Sequence, residues 1–387
     1  MRALHLPGVP SGDDPPYNFP DKPAPPSALQ YTANDHPEPQ PGTPASTATS
    51  YIVRVTTTAL TRGELTWAEV LDRSRFHAYG GPIPGHDVVG VIEEILPTGS
   101  REAKFKLGDQ VWGLVDFDRD GAAADLVHAF EDELGLTPPS MYGLSQQAWN
   151  EALATLPLSG LTAWQGLFEH GGLPSLSPKP GPHSVTPGTE GKRVLITGAA
   201  GSVGVAAVQI AKAAGFHVTA VCSSRNAGFV RDELHAHEII DHTEAGFESV
   251  PATMKRRSIP AVDVVFDCVG GNTLEAVILG QDCVKSGGRI VTIAGPISGL
   301  VTDVTSVDVG VSAAPAGDKR LKETAVQKTF FIVKPSGAQM TRISELVGEG
   351  HLIGLVDSVF DLEHGREAME KVETHGQVTR GKVVLRV

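Results

Sequence analysis

From residue 192 the hydrophobic pattern alternates between two kinds of segment. "RVLITG" (193–198), "FHVTAVC" (216–222), "HEIID" (237–241), "AVDVVFDCVG" (261–270), "GGRIVTIAG" (287–295) and "KTFFIV" (328–333) are short apolar or β-branched runs. Between them lie helical patterns, "GSVGVAAVQIAKAAG" (201–215), "NAGFVRDELHA" (226–236) and a stretch near "NTLEAVILGQDCVKS" (272–286). Continuous apolar strands alternating with helices predict a parallel sheet covered on both faces. The pattern fades over 296–318, and the tail from residue 354 returns to mixed helix and strand that rejoins the first domain.

The first half follows a different pattern. Strand candidates "ALQYT" (28–32), "YIVRVTTTAL" (51–60), "DVVGVIEEI" (87–95) and "DQVWGLV" (109–115) are short and separated by Gly and Pro, which predicts a barrel-like unit. The Pro-rich stretches 7–26 and 36–46 read as surface loops, because proline cannot donate to a ladder. A second Pro/Gly loop, 175–191, separates the two patterns.

Where they meet, "VLITGAAGSVGVAAVQIAKAAG" (194–215) sets Ala199-x-Gly201-x-x-Gly204 between a strand and a helix. Glycine lets backbone N–H groups approach a pyrophosphate, and the helix N-terminus stabilises its charge. A site for NAD carries an acid about 20 residues on, bonded to the ribose 2′-OH. That place reads "VCSSRN" (221–226), so Ser223, Ser224, Arg225 and Asn226 offer donors and no acid. A guanidinium with hydroxyls suits a 2′-phosphate, and NADPH is the expected cofactor; the alternative for Arg225 is a solvated residue at a helix start.

Composition narrows the partners. The 387 residues carry a formal net charge of −13, with 20% charged and 41% hydrophobic positions, 43 glycines and 28 prolines. An acidic surface with no basic block longer than Lys255–Arg257 argues against nucleic acid. No run approaches the roughly 18 apolar residues of a membrane span. The N-terminus has neither signal- nor transit-peptide character, so the cytoplasm is the expected location. Three cysteines, Cys222, Cys268 and Cys283, are too few and too widely spaced for a disulfide framework or a cysteine-rich zinc lobe.

Taken in order, "GHDVVGVI" (85–92), "FKLGDQVWG" (105–113), "LPLSGLTAWQGLFEHGGL" (156–173), the Gly-rich segment, "VDVVFDCVGGNTL" (262–274), "GGRIVTIAGP" (287–296) and "RGKVVLRV" (380–387) resemble the medium-chain dehydrogenase/reductase superfamily, in its zinc-free quinone oxidoreductase and alkenal reductase branch. The resemblance implies an α/β fold: a GroES-like catalytic domain over 1–158 with a Pro-rich insertion near 7–26, a Rossmann NADP-binding domain over 159–334, and a return to the catalytic domain over 335–387. By position, Ala200, Gly201, Ser202, Val203 and Gly204 would face the pyrophosphate, and Ser223, Ser224, Arg225 and Asn226 the adenosine phosphate. His242 stands where relatives often carry a tyrosine, and either meets that phosphate or caps the strand. Val269, Gly270 and Ala294 would lie near the nicotinamide. A small-molecule substrate and a homodimer are the expected partners.

In the zinc branch two cysteines complete the site that begins at the histidine of "GHD". Here "TTALTRGELTW" (57–67) and "LPLSGLTAWQG" (156–166) hold none, so no metal is expected. His86 is then either a polar residue of the cleft or a structural one. Without a Lewis acid, developing charge must be met by hydrogen bonds. The candidates are Thr61, Arg62, Glu64, Tyr79 and His86, with Thr61, Arg62 and Tyr79 preferred as donors. Two bland readings stand beside these: Arg62 and Glu64 pair on the surface, and Tyr79 packs as a half-buried anchor. The expected reaction is NADPH-dependent reduction of an activated C=C bond or a quinone. Its rivals are a zinc-type alcohol dehydrogenase and a non-catalytic NADPH-binding protein.

Overall fold

The structure, a computed structural model, describes residues 1–10, 12–39, 49–96, 102–176, 188, 190–280, 282–296, 326–375 and 380–387. Most of the Pro/Gly loop 175–191 and nearly all of 296–318 lie outside the described residues. The chain divides into two compact units, Met1–Leu161 with Lys334–Val387, and Thr162–Val333.

The first unit is built on β3 (Ser50–Leu60), whose β-branched residues suit a pleated surface. The strands before it are β1 (Ala3–His5) and β2 (Gln30–Thr32), paired antiparallel with each other. Those after it are β4 (Asp87–Leu96), β5 (Gln110–Leu114), β6 (Leu126–Phe130) and β7 (Leu134–Leu136). β3 pairs antiparallel with β4 and β6. Two helices follow, α1 (Gln146–Ala154) and α2 (Pro157–Trp164). One apolar cluster gathers Tyr51, Val53, Phe105, Val111 and Val127; a second joins Leu4, Leu29, Leu60 and Leu65 to Met369 and Leu385 from the C-terminal segment.

The expectation that 7–26 is only surface loop is corrected here. Val9 and Ala24 are buried in that second cluster. Their amides donate to His77 O at 2.7 Å and Leu65 O at 3.3 Å, so the Pro-rich stretch is tied down at both ends. The candidate strand 28–32 is shorter than its pattern, because Pro26–Ala28 turns as a 3₁₀ helix after Pro25 and pairing starts only at Gln30.

The second unit is a parallel sheet. Its strands are β8 (Arg193–Ile196), β9 (His217–Cys222), β10 (Glu238–Asp241), β11 (Val262–Asp267), β12 (Val284–Thr292) and β13 (Gln327–Phe330). Their order is β10-β9-β8-β11-β12-β13. The covering helices are α3 (Ser202–Ala213), α4 (Ser224–Asp232), α5 (Val250–Arg256) and α6 (Gly271–Leu279). The chain runs outward from β8 to β10, then starts again at β11 on the other side of β8. That reversal makes the carboxyl ends of β8 and β11 the crevice where a doubly wound sheet binds ligands.

The chain then returns to the first unit through α7 (Gly337–Gly348), β14 (Val356–Asp361), α8 (Gly365–His375) and β15 (Lys382–Arg386). β15 pairs parallel with β14 and antiparallel with β3, placing Lys382 at the edge of the loop that follows β3.

Candidate functional site

At the carboxyl end of β8, Gly198 turns through φ +62° and α3 begins at Ser202, after its N-cap Gly201. Gly204 is required by space: a Cβ there would lie 2.2 Å from Gly198 O and 2.7 Å from Ala199 Cα, so helix and strand could not approach. The α3 N-cap is a glycine with no side-chain bond to the helix, which leaves an N-terminus without a competing cap. Ala200 is buried, Gly201 exposed, and Ser202 and Val203 half-buried.

The turn after β9, expected from the sequence to meet the adenosine phosphate, differs from its reading in one respect. Asn226 Nδ2 reaches Ser223 Oγ at 3.4 Å, and the Arg225 side chain is exposed. Ser224, however, donates its hydroxyl to the Asp241 carboxylate at the end of β10, and its amide donates to Thr243 Oγ1 at 3.0 Å. Partial burial works against the Asp241 anion, but bonds from Ser224 and Thr243 hold its carboxyl below the usual range. An acid therefore stands at this corner, brought in by the third strand where the sequence reading looked only beyond the second. The His242 amide donates to Cys222 O at 3.1 Å and continues the strand pairing, with its ring exposed.

Beside the Gly-rich loop lies a cluster that sequence reasoning missed. Asp267, fully buried at the end of β11, receives Thr197 Oγ1 at 2.6 Å and Val269 N at 3.4 Å on one oxygen. Its other oxygen receives Thr292 Oγ1 at 2.8 Å and Gly270 N at 3.0 Å. The two hydroxyls accept from Cys268 N at 3.0 Å and Ala294 N at 3.2 Å. One carboxylate thus ties together the ends of β8, β11 and β12 and fixes Cys268, Val269, Gly270 and Ala294. Burial, then the Asp267 charge, push the Cys268 thiol well above its ordinary range, so it is no thiolate nucleophile. The available signal was an acid inside the apolar strand "VDVVFD".

In the first unit the loop after β3 carries Thr61, Arg62 and Glu64. Arg62 is exposed and Glu64 is buried, so the surface pairing of these two residues is ruled out. Glu64 instead accepts Gly85 N at 2.6 Å and Thr61 N at 3.2 Å, and its Oε1 lies 3.7 Å from His86 Nε2. Burial raises the Glu64 carboxyl to about 7. His86 Nδ1 donates to Val115 O at 3.2 Å, which fixes the tautomer and leaves Nε2 buried without a hydrogen bond. Burial, with help from Arg75, holds the imidazole near 3, so it is neutral at physiological pH. Next to it the fully buried Asp87 accepts Leu158 N at 2.6 Å and pairs with Lys382 Nζ of β15. Lys382 also donates to Thr61 Oγ1 at 2.9 Å. Lys382 lies 321 residues from Thr61 and 295 from Asp87; a lysine in the strand pattern "GKVVLRV" was its only sign.

Tyr79 is not a half-buried anchor, since it is 54% exposed. Its ring stacks on His77 at 5.3 Å and meets His36 edge-on at 5.7 Å. In the second unit His237 Nδ1 accepts Val218 N at 3.0 Å and its ring stacks on His217 at 4.2 Å. Among the described residues no three His, Cys, Asp or Glu side chains are placed to share a metal ion, and no helix is long and apolar enough to cross a membrane.

Residues 234–385 match the family model described as zinc-binding dehydrogenase. The chain is 34% identical over 338 residues, 87% of its length and 88% of the relative's, to the "Probable zinc-binding oxidoreductase, mitochondrial" of Arthroderma benhamiae. It is 31% identical to the "NAD(P)H oxidoreductase RTN4IP1, mitochondrial" of Danio rerio, covering 84% of this chain and 78% of that one. It is 32% identical to the "Quinone-oxidoreductase QR1, chloroplastic" of Triphysaria versicolor, covering 78% and 79%. Among solved structures, the quinone oxidoreductase from Coxiella burnetii superposes with a TM-score of 0.68 over 100% of this chain and 99% of that one, at 24% identity, which bears on the fold. The chain belongs to the medium-chain dehydrogenase/reductase superfamily, in its quinone oxidoreductase branch. It is an oxidoreductase that works with a nicotinamide cofactor. The cytoplasmic location expected from the sequence is overturned: these relatives are named as mitochondrial or chloroplastic, which points to an organelle.

Proposed function

We propose that the protein uses NADPH to reduce an activated C=C bond, as in an enone, enal or enoyl group, or a quinone, without zinc. The observation that carries this reading is the donor set around His86. A catalytic zinc takes about three protein ligands and keeps one open position. The unbonded His86 Nε2 lies 3.7 Å from Glu64 Oε1, and among the described residues no group of three His, Cys, Asp or Glu side chains is placed to hold a metal. These residues do not fit the metal that the family description names.

A bound NADPH would supply the hydride. The α3 N-terminus with Ala200 to Gly204 would hold its pyrophosphate, and the 268–270 turn its nicotinamide end; Ser223 and Arg225 would hold the 2′-phosphate, the Asp241 carboxylate being engaged by Ser224 and Thr243. Thr61 is the donor we assign to the substrate oxygen. Its hydroxyl accepts from the Lys382 ammonium, so its own proton remains to be donated. A conjugated carbonyl spreads incoming charge onto one oxygen, which such a donor can stabilise without a Lewis acid. The relative named a quinone oxidoreductase supports this substrate class.

The test is incubation with NADPH and an α,β-unsaturated ketone, and separately with its saturated counterpart. The first should lose its double bond and the second remain untouched, with chelators leaving the rate unchanged. Reduction of the saturated ketone, or inactivation by chelation, would restore the zinc alcohol dehydrogenase reading. Arg225→Glu should weaken NADPH by about tenfold or more, through loss of a charge-assisted bond of about 1.5–3 kcal/mol, and NADH far less. Equal weakening of both would remove Arg225 from the 2′-phosphate.

A further inference from the structure

Asp267 carries no part of the reaction as derived so far, yet its surroundings are unusual. A carboxylate offers about four lone-pair directions, and here all four are filled, two per oxygen. Every partner is a donor. The two amides have no other choice, and each threonine hydroxyl accepts from a backbone amide and so turns its proton to the carboxylate. The carboxylate is thus enclosed, out of water, by four neutral donors, the surroundings that suit a negative charge; among the described residues no lysine, arginine or histidine is among its bonded partners.

We propose that Asp267 is a fixed negative charge that favours the oxidised, cationic nicotinamide over the reduced, neutral one, and so drives hydride donation. This rests on the cofactor reading above, in which Val269, Gly270 and Ala294 line the nicotinamide. Val269 and Gly270 bond directly to the carboxylate, and Ala294 is one hydroxyl removed, so the charge lies a single layer behind that wall. A bound NADPH would supply a hydride, two electrons with one hydrogen, and its ring would be left with one positive charge; the negative charge gained by the substrate would be met by a hydrogen bond from Thr61 and neutralised by a proton from water. The charge created on the ring is of the sign a buried anion stabilises, and low-dielectric surroundings leave that attraction weakly screened. Loss of this anion should therefore fall on NADP⁺ more than on NADPH.

The experiment measures dissociation constants of NADP⁺ and NADPH by titration calorimetry for the full chain and three variants. Asp267→Asn should weaken NADP⁺ about tenfold more than NADPH, a difference of about 1.4 kcal/mol. Because an amide NH₂ would face donors at that position, Asp267→Ser, a smaller neutral residue that still accepts, is measured beside it and should shift the ratio the same way. Thr292→Val keeps the charge while removing one donor, and should move both constants together with their ratio held within about twofold. If the neutral variants leave the ratio unchanged, or if Thr292→Val shifts it as much as Asp267→Asn, the charge has no such role. Wild-type protein binding neither nucleotide would overturn the cofactor reading and this inference together, whereas an indifferent ratio with both bound would overturn the inference alone.

Discussion

Each unit of the molecule buries an acid at the end of a strand, and the two are supported in opposite ways. Asp267 in the parallel sheet is satisfied by four neutral donors and, among the described residues, bonds no cation. Asp87 in the antiparallel sheet is paired with Lys382, and beside it stand a carboxyl lifted to about 7 and an imidazole nitrogen with no hydrogen bond. The first arrangement is closed: nothing in it is left to exchange a proton. The second holds groups whose protonation or pairing is incomplete, and these conditions favour chemistry. The parallel sheet thus holds its acid in a saturated arrangement, whereas the first unit holds its acid among groups that can still gain a partner or lose a proton.

The comparison is broken most directly by removing the cation of the second cluster. Lys382→Ala leaves Asp87 buried without its countercharge, and breaking a buried pair in this way costs about 3–5 kcal/mol. The outer pair Lys285–Asp263, with the lysine 42% exposed, is the control: Lys285→Ala should cost less than about 1 kcal/mol. Urea denaturation of both variants measures this. Equal, small losses would mean that the Asp87–Lys382 pair is hydrated and that the two clusters do not differ in kind.

Glu64 sharpens the comparison through pH. Its folded carboxyl lies at about 7, above the ordinary 4.5, because burial disfavours the anion. Between those values the folded chain holds a proton that the unfolded chain has lost, so this group's contribution to stability declines as pH rises through that window. Below pH 4.5 both states are protonated and nothing is lost; above about 7 the penalty is fully present, on the order of 3 kcal/mol. In Glu64→Gln that decline should vanish, and the variant should gain on the wild type as pH rises from 5 to 8. A difference in stability that stays constant over that range would place Glu64 in contact with water.

Much of this arrangement was legible in the chain. The alternation from 193 to 333 specified the parallel sheet because buried strands must be apolar on both faces. Gly204 was readable because only glycine tolerates the contact with Gly198 O. Asp267 and Lys382 were overlooked for one reason: each is a charged residue inside an apolar strand, whose meaning depends on partners distant in sequence, 70 residues away at Thr197 and 295 at Asp87. Asp241 escaped because the acid was sought at a distance along the chain, whereas neighbouring strands bring residues together across the sheet. The Pro-rich stretch misled in another way, since proline argues against ladder pairing and says nothing about whether a Val9 or an Ala24 packs beneath it.

The smallest effect is expected at Tyr79. As the proton donor, its hydroxyl would contribute 10²–10⁴ in rate, the usual range for a positioned acid. Positioning is what it lacks: the ring is 54% exposed, stacked on the exposed His77, and no hydrogen bond or ring contact joins it to Thr61 or Arg62 among the described residues. Water reaches the same place and can deliver the same proton. Tyr79→Phe keeps the stacking with His77 and His36 and removes only the hydroxyl, so kcat should change by less than about threefold, with the solvent isotope effect preserved. Thr61→Val, read in the same assay, should cost far more, on the scale of about 10²-fold for a lost donor to a developing oxyanion. A hundredfold fall in Tyr79→Phe with Thr61→Val near wild type would reverse the assignment, moving the proton donor out of the buried cluster and onto the exposed loop.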